Sequence, residues 1–256
     1  MEKGIKLSML TVKNLTKEYI DYAGYKKTIF TDISFDIDEK KVNTVIAPVG
    51  SGKSTLLRII AGLIKFDSGE INKQKDSKIV FIPSKPSSFP WFNVEENIKL
   101  FAEDKSDKAV LNFIEKVGLE GYEKHYPHNK SIGFRYRIAL ARALAAGGNI
   151  ILLDEPFNDI SADYKYDIYN LTRQVVKELN ITILLATTDI TEAIFLSDKI
   201  ILFKKNAKGR LTELAVNFPE KRTEDILTNE TAEKIKNEVE RYFKQNLSRQ
   251  FFKITF

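Results

Sequence analysis

A short strand, Val42–Ile46, runs directly into Ala47-Pro48-Val49-Gly50-Ser51-Gly52-Lys53-Ser54-Thr55, and a helix follows with Leu56, Leu57, Ile60, Leu63 and Ile64 on one face. No other feature constrains the chain as much, because it fixes a strand, a tight turn and a helix in that order. The turn nearly matches the phosphate-binding pattern G-x-x-x-x-G-K-[ST]. Glycines at 50 and 52 let the backbone bend into a nest whose N–H groups converge on an anion. The helix that opens there adds its own unpaired N–H groups and dipole. Lys53 supplies a compact cation for phosphate oxygens, the Ser54 hydroxyl is placed to ligate magnesium, and Thr55 completes the cradle. Ala47 stands where the pattern has its first glycine. That exchange is harmless unless the position needs positive φ, where it would cost roughly 1–2 kcal/mol.

A second segment completes the chemistry. Ile150-Ile151-Leu152-Leu153 is a continuous apolar run, as expected of a parallel strand buried on both faces, and it ends in Asp154-Glu155-Pro156. Two carboxylates at the end of a buried strand are costly unless they meet a cation or a reacting water. Asp154 suits magnesium, and Glu155, one residue on, suits a general base acting on water. A plainer role, capping the next helix, competes with this one.

The rest of the chain fits an alternating α/β order. Strands are expected at 8–14, 29–37, 78–82, 181–186 and 199–203, and helices at 162–179 and 190–196. Residues 94–145 read as mainly helical and more polar, which suggests an insertion. Ile235, Val239, Tyr242 and Phe243 share one face of a tail helix, and Leu247, Phe251, Phe252, Ile254 and Phe256 leave an apolar end that docks on its own domain or on a partner. The chain has no cysteine, which excludes disulfides and thiolate metal sites. Its net charge of +5 comes without blocks of like charge, so a nucleic-acid tail is not indicated. The N-terminus lacks the apolar core of a signal peptide. No run approaches the roughly eighteen apolar residues of a spanning helix, so any membrane link is expected through a partner.

These residues, in this order, resemble the ATP-binding subunits of ABC transporters, over about residues 8 to 243. Beyond the turn and the acid pair, the resemblance rests on Ser54 to Leu63, on Ser68-Gly69-Glu70 and on Ala139-Leu140-Ala141-Arg142-Ala143-Leu144. Phe89-Pro90-Trp91, Val94-Glu95-Glu96-Asn97 and Ala207-Lys208-Gly209-Arg210 are most similar to the branch serving nitrate, sulfonate or taurine importers. The resemblance implies a P-loop NTPase (RecA-like) α/β core, residues 1–92 and 146–217, with an antiparallel β subdomain. It also implies an inserted helical signature subdomain, 93–145, and a C-terminal helical tail, 218–256. The implied nucleotide contacts are Tyr19 (stacking on adenine, with Tyr22 and Tyr25 as competitors), Val49 to Thr55, and Asp154. Ser131 and Gly133 would act in trans, on the nucleotide of the opposite subunit. Magnesium would fall to Ser54 and Asp154, with Ser84 as a weak third. The segment Pro83–Trp91 would sense the γ-phosphate and touch the permease, although Trp91 is equally explained as packing.

The departures from the family pattern are informative. Ser84 replaces a glutamine, Ser161 an aspartate, and Thr188 the switch histidine. The five-residue signature LSGGQ survives only as Ser131 and Gly133, with Ile132 expected to intrude where glycine allows close approach. His125 and His128, the only histidines, are expected on the surface.

The resemblance thus implies an ATP- and magnesium-dependent ATPase at the cytoplasmic face of a membrane. Its expected partners are a second ATPase subunit, transmembrane permease subunits and, indirectly, a substrate-binding protein. An alternative is a catalytically weak, nucleotide-gated subunit of a heterodimer. A soluble relative acting on nucleic acid is disfavoured by the lack of a basic arm.

Overall fold

Why the chain alternates is clearest in its central sheet. In the computed structural model, which describes residues 8–20, 22–86, 88–128, 130–219 and 222–251 (side chains of 245–251 excepted), strands β3 (Val42–Ile46), β6 (Ile150–Asp154) and β7 (Thr182–Thr187) are buried at every position. Such strands need cover on both faces, and helices provide it. The sheet order is β10-β8-β3-β7-β6-β5, with β5 at Ile79–Ile82, β8 at Lys199–Leu202 and β10 at Thr212–Ala215. Only β10 among these runs antiparallel to its neighbour, β8.

A second sheet, β4-β1-β2-β9, packs its apolar face under the first. Its centre is a long hairpin, β1 (Ser8–Ile20) and β2 (Lys26–Asp38), flanked by β4 (Ser68–Lys73) and β9 (Ala207–Arg210). The alternation at Ile33, Phe35 and Ile37 predicts a strand correctly, since all three are buried, but both hairpin strands reach further than expected. The Lys199 side chain, nearly inaccessible, ties the two sheets: it donates to Asp38 Oδ1 at 2.7 Å and to the carbonyl of Asp36.

Helix α1 (Lys53–Ile60) follows the glycine turn and buries Leu56, Leu57 and Ile60 as expected. It stops earlier than the periodicity implies, so Leu63 lies beyond it and is exposed. Gly62, at φ 74°, supplies the left-handed stop, with its N–H bonded to Ile59 O and the Leu63 N–H to Arg58 O, which is a Schellman ending. Between β5 and β6 come α2 (Val94–Lys99), α3 (Asp107–Lys116) and α4 (Ile132–Ala145), which share one apolar cluster with α5 (Ala162–Leu179). Asn93 opens α2 with a full capping box to Glu96.

After β7, α6 (Ile190–Leu196) leads to β8, and a 3₁₀ turn (Glu224–Thr228) leads to α7 (Glu230–Phe251). Ile235, Val239, Tyr242 and Phe243 of α7 pack on Ile194, Ile200 and Leu202, so this face docks on its own domain. The side chains of Leu247 and Phe251, and residues Phe252, Ile254 and Phe256, lie outside the described set. Among the described residues no helix is long and apolar enough to cross a membrane.

Candidate active site

Three adjacent parallel strands deliver the site. Register pairs Ile46 of β3 with Thr187 of β7, and Asp154 of β6 with Ala186 of β7. The loops beginning at Ala47, Glu155 and Thr188 therefore leave the sheet side by side, at the carboxyl ends of the strands.

In the turn, Gly50 has φ 74° and Gly52 φ 100°. Gly52 is also sterically required: an added Cβ would fall inside the contact radius of Ile29 Cγ2, a methyl of β2. Ala47 is buried, is absent from the positive-φ positions and donates its N–H to Thr187 O at 3.2 Å, so its Cβ carries no left-handed strain. The Ser51 hydroxyl is buried with no hydrogen-bond partner among the described residues. Val49 projects into solvent, and Thr55 is half-buried on the first turn of α1.

Lys53, Ser54, Asp154, Glu155 and Thr188 form one connected set. Lys53 Nζ lies 2.6 Å from Glu155 Oε1, with the lysine side chain 5% exposed. Ser54 Oγ donates to Asp154 Oδ1 at 2.9 Å. Thr188 Oγ1 reaches Glu155 Oε2 at 3.4 Å. Burial pushes the Asp154 carboxyl above the ordinary carboxylate range, against the Ser54 hydrogen bond and the charge of Arg58. For Glu155 burial pulls upward too, but hydrogen bonds from Lys53 and Asn158 and the lysine charge outweigh it, and its pKa falls below the ordinary value. Glu155 also holds a backbone φ of 47°, a left-handed conformation that costs a non-glycine residue about 1–2 kcal/mol. Strain of this kind collects where geometry is needed for chemistry.

A serine hydroxyl and a carboxylate oxygen in contact, at the mouth of a glycine nest, are the hard oxygen donors that magnesium takes together with substrate phosphates. Among the described residues no cluster of three or more His, Cys, Asp or Glu side chains stands together as a metal cage. Ser84 is exposed two residues beyond β5 and stands outside the connected set.

The other expected residues are placed around it. Tyr19 is partly exposed, with Lys17 Nζ 5.0 Å from its ring centroid, and it pairs across the hairpin with Lys27, two residues from the Ile29 that packs on Gly52. Tyr22 and Tyr25 are more exposed still. Ser131 caps α4, accepting from Phe134 N at 3.2 Å, and lines a shallow groove with Gly133, Tyr122, Phe134 and Tyr164. Ile132 is partly buried against the apolar cluster of the neighbouring helices. Ser161 opens α5 without a side-chain cap bond. Trp91 is exposed, in edge and tilted contact with Phe92 and Phe89. His125 and His128 are both on the surface.

Two neighbours of this set escape a reading of the sequence. Asn158 Nδ2 donates to Glu155 Oε2 at 2.5 Å. Glu192, wholly buried, accepts from Thr187 Oγ1 at 2.6 Å, Tyr169 OH at 3.1 Å and Lys165 Nζ at 3.2 Å, anchoring the strand end next to Thr188. Asp189 caps α6, accepting from the N–H groups of Thr191 and Glu192, while the Glu192 side chain turns inward.

The family described as ABC transporter matches residues 30–158. An uncharacterised ABC transporter ATP-binding protein of Bacillus subtilis is 36% identical over 81% of this chain and 84% of its own. An aliphatic sulfonates import ATP-binding protein of Pseudomonas syringae pv. tomato is 34% identical over 83% of this chain and 91% of its own. Among solved structures, a dimeric bacterial ABC transporter cassette superposes with a TM-score of 0.69 at 27% identity, covering 82% of this chain and all of that one. The same cassette is known as a dimer in a post-hydrolysis state bound to ADP and phosphate.

Proposed function

Because the chain belongs to the ABC transporter ATP-binding family, and so is an ATP-binding, ATP-hydrolysing subunit that powers a membrane transporter, we propose that Lys53, Ser54, Asp154 and Glu155 carry its turnover. The observation that supports this most is the Glu155 carboxylate, held 2.6 Å from Lys53 at the exit of three aligned strands.

In this reading the N–H groups of the turn 49–55 orient the phosphates, and Lys53 neutralises the β and γ oxygens. Ser54 and Asp154 would hold magnesium, which when bound offsets charge building on the leaving phosphate. Glu155 accepts a proton from the attacking water as the new P–O bond forms and the bond to ADP breaks. Tyr19 stacks on the adenine. Ser131 and Gly133 cover the nucleotide of a second ATPase subunit.

The same reading divides the chain into a core (1–92 and 146–217), a helical subdomain (93–145) and a tail (218–256). It places the protein peripherally, at the cytoplasmic face of the membrane. The permease would dock where Phe81, Pro83, Phe101 and Arg142 line a groove beside the Phe89–Trp91 aromatics. Similarity to aliphatic sulfonate import proteins supports import of small organic anions, delivered by a substrate-binding protein.

The test is hydrolysis by the assembled transporter. Glu155→Gln should keep magnesium-dependent ATP binding and lose turnover about a hundredfold or more, as expected when a general base is removed. Turnover that survives this substitution removes Glu155 from the mechanism. A second reading, a slow nucleotide-gated subunit, is favoured by one observation: Thr188 meets Glu155 only at 3.4 Å, a weak contact. It predicts that Glu155→Gln leaves the transporter's turnover unchanged while Lys53→Ala still abolishes ATP-dependent assembly.

A further inference from the structure

Glu155 has an uncommon backbone and three polar neighbours, and they are not equivalent. Lys53, from α1, holds Oε1. Oε2 faces two groups: Thr188, from the loop after β7, at 3.4 Å, and Asn158, three residues on, at 2.5 Å. The shorter contact is an amide N–H donating to an ionised oxygen, which belongs to the strong class of hydrogen bonds. Asp154, the preceding residue, adds a like charge, itself offset by Ser54 and Arg58. Without a partner on Oε2, a carboxylate on a left-handed residue would be free to turn about its side-chain bonds and leave the water-activating position.

We infer that Asn158 is the positioning residue for Glu155: its side-chain amide fixes Oε2, doing in this chain most of what Thr188 is too short and too distant to do. A general base must be held within hydrogen-bond reach of the proton it takes, so orientation translates directly into rate. The arrangement also accounts for how a site with threonine at the switch position keeps its acid aimed, because the restraint comes from the acid's own loop. The exposed position of Asn158 is consistent with this, since its amide need satisfy only Glu155 and solvent.

This inference rests on the reading of Glu155 as the base. Its test uses the assembled transporter carrying wild-type chain, Asn158→Ala, Asn158→Asp, or Asn158→Ala with Thr188→His. Asn158→Ala should lower kcat roughly ten- to a hundredfold, the scale of a lost hydrogen bond to a charged group, with the KM for ATP unchanged. Asn158→Asp, which replaces the donor facing Oε2 with an acceptor, should lower kcat at least as far as Asn158→Ala, again with KM unchanged. Thr188→His in the alanine background should restore much of the lost rate. An unchanged kcat, or a drop confined to KM, overturns the inference. If Glu155→Gln leaves wild-type turnover intact, the reading of the base fails as well. If it abolishes turnover while Asn158→Ala does nothing, only the role of Asn158 fails.

Discussion

Replacing Gly52 by alanine should be among the most damaging single-methyl additions in this protein, for two separable reasons. Its φ of 100° lies in the half of conformational space that L side chains avoid, at a cost of about 1–2 kcal/mol. The new Cβ would also collide with Ile29 Cγ2, while standing at an ordinary 3.8 Å from Ile29 Cβ and Phe30 Cδ1. Isoleucine is branched at Cβ and has few alternative χ1 positions, so the methyl cannot step aside cheaply. Overpacking of this kind costs about 1–3 kcal/mol, giving a total of roughly 2–5 kcal/mol. The two parts separate in a double-mutant cycle. Ile29→Ala removes the offending methyl, so Gly52→Ala should cost only the backbone part, about 1–2 kcal/mol, in that background. Urea unfolding of the four proteins gives the coupling energy, and ATP titration reports whether the turn still closes on phosphate. A cost below about 0.5 kcal/mol for Gly52→Ala, or a coupling near zero, would refute the claim that β2 and the turn constrain each other.

Other consequences can be measured alongside. Glu192→Gln keeps an acceptor for Thr187 and removes a buried charge, so stability should stay within about 1 kcal/mol, whereas Glu192→Leu leaves the Thr187 and Tyr169 hydroxyls unpaired and should cost roughly 2–3 kcal/mol by urea unfolding. Arg222, fully buried, donates to the carbonyls of Ile194, Phe195 and Ser197 at the end of α6; Arg222→Met should cost about 3 kcal/mol and speed amide exchange in that helix. The two acids at the end of β6 should show opposite pH dependence. The depressed pKa of Glu155 gives stability that is present above its unfolded value and lost as pH falls through the folded one. The raised pKa of Asp154 gives stability that is present below its unfolded value and lost as pH rises through the folded one. Unfolding midpoints between about pH 3 and 7 should therefore show Glu155→Gln with a flatter acid limb and Asp154→Asn more stable than wild type toward neutrality.

What the sequence makes legible here is whatever has a short-range cause. β3, α1 and α5 follow from runs and periodicities of their own residues, and the turn at 47–55 from glycines with no other use. β4 and β9 show no such signal. Ser68–Lys73 is largely exposed, and Ala207–Arg210 is a short segment of no strand periodicity that becomes a strand because β2 lies beside it, with Arg210 Nη2 on Asp36 Oδ2 at 2.8 Å. A segment that resembles one importer branch is thus also an ordinary edge strand. Asn158 and Glu192 were hidden for the opposite reason. Each looks like a common loop or cap residue until the fold brings Glu155 or Tyr169 against it. Ile132 lies between the two cases: its bulk is plain from sequence, but only the structure shows it lodged against its own helices.

The pairing of Ile46 with Thr187 and of Asp154 with Ala186 reaches beyond the loops it aligns. If β6 slid by one rung against β7, Leu153 would arrive where the acid now stands, and every side chain of the strand would change faces. The proposed site thus has no tolerance of its own. It inherits the alignment of its strands, and one of them, β3, is fixed at its far end from outside the site: the Asn43 side chain accepts from the N–H of Asp38 and donates to its carbonyl. Substitutions at that foot, at the opposite end of β3 from the glycine turn, should register as kinetic defects although they touch none of Lys53, Ser54, Asp154 or Glu155.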